Sequence, residues 1–140
     1  MWNIIKLKNP VWYIDATGGV HQKINGQKEI FIYRTVCHDE NQKKIIPVFD
    51  FLTTCHTGEN LAKYLRYAVA RIEQNFSKNS PLIVPPIIVM DFSYAIVNSI
   101  LESINKCSLT EYLSYCSNVL VKENELLSKQ THIYLCSTHF

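Results

Sequence analysis

No C-x-x-C pair occurs in this chain, and its cysteines (Cys37, Cys55, Cys107, Cys116 and Cys136) are odd in number and widely scattered. That spacing speaks against a disulfide framework and against a four-cysteine zinc site, and it suits thiols that stay reduced and buried in an intracellular compartment. Charge of one sign is also lacking: 14 basic residues against 12 acidic ones leave a formal +2. An autonomous nucleic-acid-binding domain carries a far larger basic excess, so any contact with DNA or RNA is expected to be local. Neither a zinc finger nor a basic helix-turn-helix is legible, and sequence-specific DNA recognition by this chain alone is not expected. No apolar run reaches the roughly 18 consecutive residues of a membrane-spanning helix. The opening MWNIIKLKNPVWYID has a proline and two lysines but no long apolar segment, so neither a signal peptide nor a membrane span is readable. The chain reads as soluble, with no membrane partner, no internal repeat and no low-complexity tract.

What is present is enough for a core. With 140 residues and a hydrophobic content of 47%, the expectation is a single domain over 1–140. Residues 11–15 are apolar, β-branched or aromatic and read as a buried strand. Asn25-Gly26 is a turn signal, followed by the strand KEIFIYRTVCH over 28–38 and, after the polar DENQKK, by IIPVFDFLTT over 45–54. Pro47 pushes that third strand towards a sheet edge or a bulge. From residue 57 the period changes to that of a helix, with Leu61, Tyr64, Leu65, Ala68, Val69, Ile72 and Phe76 on one face, Thr57 as N-cap and Glu59 in the first turn. LIVPPIIVMD over 82–91 is a short apolar strand. Ile96, Val97, Ile100, Leu101 and Ile104 give a second helix, and Leu109, Tyr112, Leu113, Cys116, Val119 and Leu120 the buried face of a third, opened by the Ser108/Glu111 capping box. THIYLC over 131–136 is the last strand. The order is β-β-β-α-β-α-α-β.

Two of these strands stop on an acid, Asp15 and Asp91. A meander of three strands, a helix and a strand parallel to the first is the connectivity of the ribonuclease H-like α/β fold. A right-handed crossover through the helix at 57–76 would bring the two strand ends side by side. Paired carboxylates there suit a hard divalent cation with oxygen ligands, and two such ions can serve phosphodiester chemistry. Capping is the competing explanation, because Asp91 precedes Phe92-Ser93 where a helix begins.

The segments WYIDATGG, IPVFDFLTTCHTGENLAKYL, PPIIVMDFSYAIVNSIL and CSTHF together resemble the catalytic core of a DDE/D transposase of the Mutator-like or a closely related superfamily, from about residue 10 onward. The resemblance implies a ribonuclease H-like mixed sheet that cuts and joins DNA phosphodiesters with Mg²⁺ or Mn²⁺ held by three acids. Asp15 matches the first acid and Asp91 the second, as catalytic residues and metal ligands. Cys136 and His139 match the family's C-x-x-H motif. The family's third acid, a glutamate, is expected beyond residue 140. Glu123 and Glu125 come too early in the fold order to replace it, and Asp50 lies on the far side of the meander. The resemblance therefore implies the N-terminal part of a core, truncated before the last helices, as a fragment or domesticated remnant with little or no strand transfer of its own. It also implies transposon-end DNA as partner of the full-length protein and a nuclear location. The alternative is a non-catalytic α/β interaction or structural domain that keeps its acids for capping or by descent.

Four other features have simpler explanations. Cys136 and His139 offer two zinc ligands where a structural site usually needs four. Cys55 and His56 are adjacent and should point apart, which suits helix entry rather than a nucleophilic pair. Trp12, Tyr13, Phe31, Tyr33, Phe49 and Phe51 read as core packing rather than a base-stacking platform. Lys6, Lys8, His21, Lys23, Lys28 and Arg34 read as a solvated face rather than a phosphate track. A sheet lacking its last helices should expose an apolar patch, so self-association or dependence on a partner is expected.

Overall fold

The computed structural model describes residues 10–18, 25–39, 43–75, 85–122 and 130–136. Strands β1 (Val11–Thr17), β2 (Phe31–Asp39), β3 (Lys44–Thr53), β4 (Ile87–Met90) and β5 (His132–Leu135) form one sheet in the order β3-β2-β1-β4-β5. The meander β1-β2-β3 is antiparallel, whereas β1 with β4 and β4 with β5 run parallel. Helix α1 (Gly58–Asn75) makes the crossover from β3 to β4, and α2 (Tyr94–Ile100) and α3 (Leu109–Lys122) lie between β4 and β5. This mixed five-stranded sheet with three helices is compatible with the ribonuclease H-like α/β fold.

The period of two along the strands sorts the sheet into two faces. Trp12, Ile14, Tyr33, Cys37, Val48, Ile88 and Met90 point to one side and pack with Leu61 and Leu65 of α1 and Ile96 and Ile100 of α2 into a single buried core. Tyr13, Asp15, Thr17, Arg34, His38, Asp50 and Leu52 alternate with them and are exposed on the other face. Trp12 and Tyr33 are buried, Phe31, Phe49 and Phe51 are half-buried, and Phe51 stacks between Tyr33 and Tyr64 with ring centroids 4.8 Å apart on either side. Core packing thus accounts for these aromatics. Tyr13 departs from that expectation: it stands on the open face beside the His38 ring.

Both sequence expectations for Pro47 are met. β3 is an edge strand, and its register against β2 slips where Thr35 faces Phe49 but Val36 faces Pro47, leaving Val48 as the bulged residue. Gly26, with φ of 86°, takes the left-handed conformation that its turn requires.

Two boundaries and one helix face differ from the sequence reading. β1 does not end at Asp15. It continues to Thr17, because β2 keeps supplying partners through Ala16↔Tyr33 and Thr17↔Ile32 after β4 has stopped at Ile14↔Met90. The second helix starts at Tyr94 and gives way after Ile100 to a π-helical turn over Leu101–Asn105. There the buried Ser99 and Ser103 hydroxyls bond back to the carbonyls of Ile96 and Ser99, and Lys106 closes the turn in the left-handed region with φ of 57°. In α3, Leu113 and Leu120, expected on the buried face, are exposed together with Val121, while Tyr112 alone is buried. Phe76, Glu123 and Glu125 lie outside the described residues.

The strand β5 is held from several sides. Asn105 gives and takes a bond with the Thr131 backbone (3.0 and 2.9 Å), Thr131 Oγ1 donates to the Pro85 carbonyl (2.7 Å), and the Ile133 amide donates to the Tyr112 hydroxyl (2.9 Å). Burial pushes the Tyr112 phenol up to about 12, so it keeps its proton across the neutral range.

The capping box at α3 is formed as expected. The Ser108 amide and hydroxyl both donate to Glu111 Oε2 at 2.7 Å, and the Glu111 amide donates to Ser108 Oγ at 3.3 Å. The Ser108 backbone bond, followed by its side-chain bond, holds the Glu111 carboxyl below its ordinary value of 4.5. A depressed carboxylate stabilises the folded state above its unfolded pKa, and that contribution disappears as pH falls through the folded value. The stability difference between wild type and Glu111→Gln, read by urea unfolding, is therefore expected to be full at pH 7. It should shrink below about pH 4.5. A difference independent of pH would contradict this account.

Candidate functional site

The sheet register brings separate parts of the chain into one line. Asp15 on β1 faces Arg34 on β2, and Arg34 faces Asp50 on β3. On the other side, Ile14↔Met90 and Met90↔Leu135 place Asp15, Asp91 and Cys136 next in sequence at one level. The row across the sheet therefore reads Asp50, Arg34, Asp15, Asp91, Cys136. Neighbouring strands lie roughly 4.8 Å apart, so the two acids singled out by sequence are at adjacent strand positions. Asp15 is exposed and Asp91 half-buried.

Asp50 stands two strands away from Asp15 and is engaged: Arg34 Nε donates to its two carboxylate oxygens at 3.3 and 3.2 Å. This agrees with its dismissal as a substitute acid. Among the described residues no three His, Cys, Asp or Glu side chains gather as a metal-binding set. The donors that the register brings level, Asp15 and Asp91, carry hard carboxylate oxygens, which suit Mg²⁺ or Mn²⁺ rather than a thiophilic ion. The Cys136 amide donates to the Met90 carbonyl at 2.8 Å, continuing the β4–β5 ladder and placing this residue beside the Asp91 turn. His139, its partner in the C-x-x-H motif, lies outside the described residues, as do Lys6, Lys8, His21 and Lys23. Lys28 and Arg34 are both exposed.

His56 is the residue whose position sequence reasoning missed. Its neighbour Cys55 turns to Thr57, with Sγ 3.6 Å from Thr57 Oγ1, so no cysteine-histidine pair forms. The His56 ring instead lies against the Phe31 and Tyr33 rings, with centroids at 5.1 and 5.7 Å, and its Nδ1 is hydrogen-bonded to the Tyr33 hydroxyl. Burial pushes the Tyr33 phenol up to about 12, so the hydroxyl keeps its proton across the neutral range. On the other side of the ring, Nε2 is hydrogen-bonded to Ser93 Oγ at 3.4 Å. Ser93 is two residues after Asp91 and precedes α2, whose first bond runs from the Val97 amide to the Ser93 carbonyl. His56 thus ties the loop entering α1, the second strand and the turn that carries Asp91. The sequence gives no signal for this, since His56 and Ser93 are 37 residues apart.

No family model matches the chain. Over 130 residues, 90% of its length, it is 32% identical to the "120.7 kDa protein in NOF-FB transposable element" of Drosophila melanogaster. The chain is similar to a transposable-element protein. That likeness supports a transposon-derived origin, as the sequence motifs implied. The chain spans 11% of the length of this relative.

No helix among the described residues is long and apolar enough to cross a membrane.

Proposed function

We propose that these residues form part of the ribonuclease H-like core of a Mutator-like DDE/D transposase or of a protein descended from one, acting on DNA in the nucleus. The observation that carries this reading is the placement of Asp15 and Asp91 at one level on adjacent parallel strands. Held there, a divalent cation would supply Lewis-acid stabilisation of charge on a phosphodiester. The chain's own contribution is to fix two carboxylates on a rigid sheet and to anchor the Asp91 turn through His56 and Ser93. A third acid, needed for full activity in this reading, would come from a longer protein.

Saturable Mn²⁺ binding tests it directly. Paramagnetic broadening should begin at the amides around Asp15 and Asp91 and leave the far ends of β1 and β4 sharp. Uniform weak broadening over the exposed carboxylates would count against the reading. It would favour a non-catalytic interaction domain.

Self-association forms part of the same proposal. Leu113, Leu120 and Val121 of α3 and Tyr134 and Leu135 of β5 are large apolar side chains left exposed, and apolar surface of this kind, where it is contiguous, marks interaction sites. Light scattering is expected to show a mass that rises with concentration, and a monodisperse monomer at high concentration would refute this.

A further inference from the structure

Arg34 occupies a position that the proposed metal site has to manage. It is the cross-strand partner of Asp15 on one side and of Asp50 on the other, and all three side chains are on the open face. Directly opposed residues of neighbouring strands have Cβ atoms roughly 4.5–5.5 Å apart, so a guanidinium can reach either carboxylate. It is found on Asp50, with Nε shared between both oxygens, in a pair whose side chains are 64% and 41% exposed. A guanidinium resting on Asp15 would occupy the same lone pairs as a divalent cation and repel it.

We infer that Asp50 is a positioning residue: it holds the Arg34 side chain away from Asp15 and so leaves the Asp15 carboxylate open to a cation. The inference that a cation binds there rests on the proposed function, whereas the placement of Arg34 does not. The pair is exposed and therefore weak, so the expected effect is modest. It is specific in being transmitted through one named side chain.

Two measurements test it on the whole chain. In the metal-free protein, the ¹⁵Nε signal of Arg34 should be indifferent to Asp15→Asn in the wild-type background. It should move on Asp15→Asn when Asp50 is already asparagine, because the guanidinium has then crossed to β1. If Asp15→Asn leaves the signal in place in the Asp50→Asn protein, the inference is overturned. The second measurement is a double-mutant cycle on Mn²⁺ affinity. Asp50→Asn is expected to weaken binding roughly two- to fivefold in the wild-type background, the range of an exposed ion pair. In the Arg34→Gln background the same change should have almost no effect. Equal losses in the two backgrounds would mean that the Asp50 charge acts through space on its own, and the inference would fail. Should the Nε signal behave as expected while no Mn²⁺ saturates, Asp50 keeps its role in placing Arg34 and the metal reading is what falls.

Discussion

Ile88→Ala is expected to cost about 3–4 kcal/mol of unfolding free energy, read as a lowered urea midpoint with an unchanged slope. Ile88 is fully buried in β4, between Trp12 of β1 and Ile133 of β5 in register. It belongs to the cluster that joins the sheet to α1 and α2. Truncating it removes three carbons' worth of transfer free energy and leaves a cavity that two neighbouring strands cannot close without breaking their ladders. Domains of this size are stable by roughly 5–15 kcal/mol, so the loss is a large share of the total. Ile88→Val should cost only about 0.5–1.5 kcal/mol, since most of the contact survives. A loss below 1 kcal/mol for the alanine variant would show that the core around β4 repacks. The same experiment bears on function, because β4 delivers Asp91 to the level of Asp15.

Asp15→Asn and Asp91→Asn are each expected to lower Mn²⁺ affinity by at least about tenfold, measured by calorimetry on the folded variants. Changes one shell further out at metal sites cost roughly 10–100-fold, and a lost ligand charge should cost no less. Asparagine keeps the shape and one oxygen, so the loss would report charge and coordination rather than packing. The exposed Asp15 variant should unfold within about 0.5 kcal/mol of wild type. Loss in both variants means that the acids converge on one cation. Loss in one alone, or in neither, means that the register brings them level without making them a site, and the interaction-domain reading then takes precedence.

Much of this architecture is legible in the amino-acid sequence. Strand and helix periodicity gave the element order, and the S-x-x-E signature gave the α3 capping box, because both are local patterns that one segment carries by itself. Asp15 and Asp91 were legible as candidates because each follows an apolar strand. Less legible were the elements whose limits depend on a neighbour. β1 runs past Asp15 only because β2 is there to pair with it. The π-helical turn after Ile100 has no periodic signature distinct from an α-helix, since its serine hydroxyls bond to the backbone without changing the apolar spacing. The outward placement of Leu113 and Leu120 follows from how α3 docks through Tyr112 onto β5, which the amphipathic pattern of α3 alone does not contain.

What the sequence determined alone is the inventory: a mixed α/β chain, two carboxylates that each follow an apolar run, and a likeness to a transposable-element protein. What only the tertiary structure decided is which of these groups stand together. The row Asp50, Arg34, Asp15, Asp91, Cys136 draws on five segments, and the contact of His56 with Ser93 spans 37 positions. Such neighbours are set by hydrogen-bond register between strands, a relation between two segments that neither segment encodes on its own.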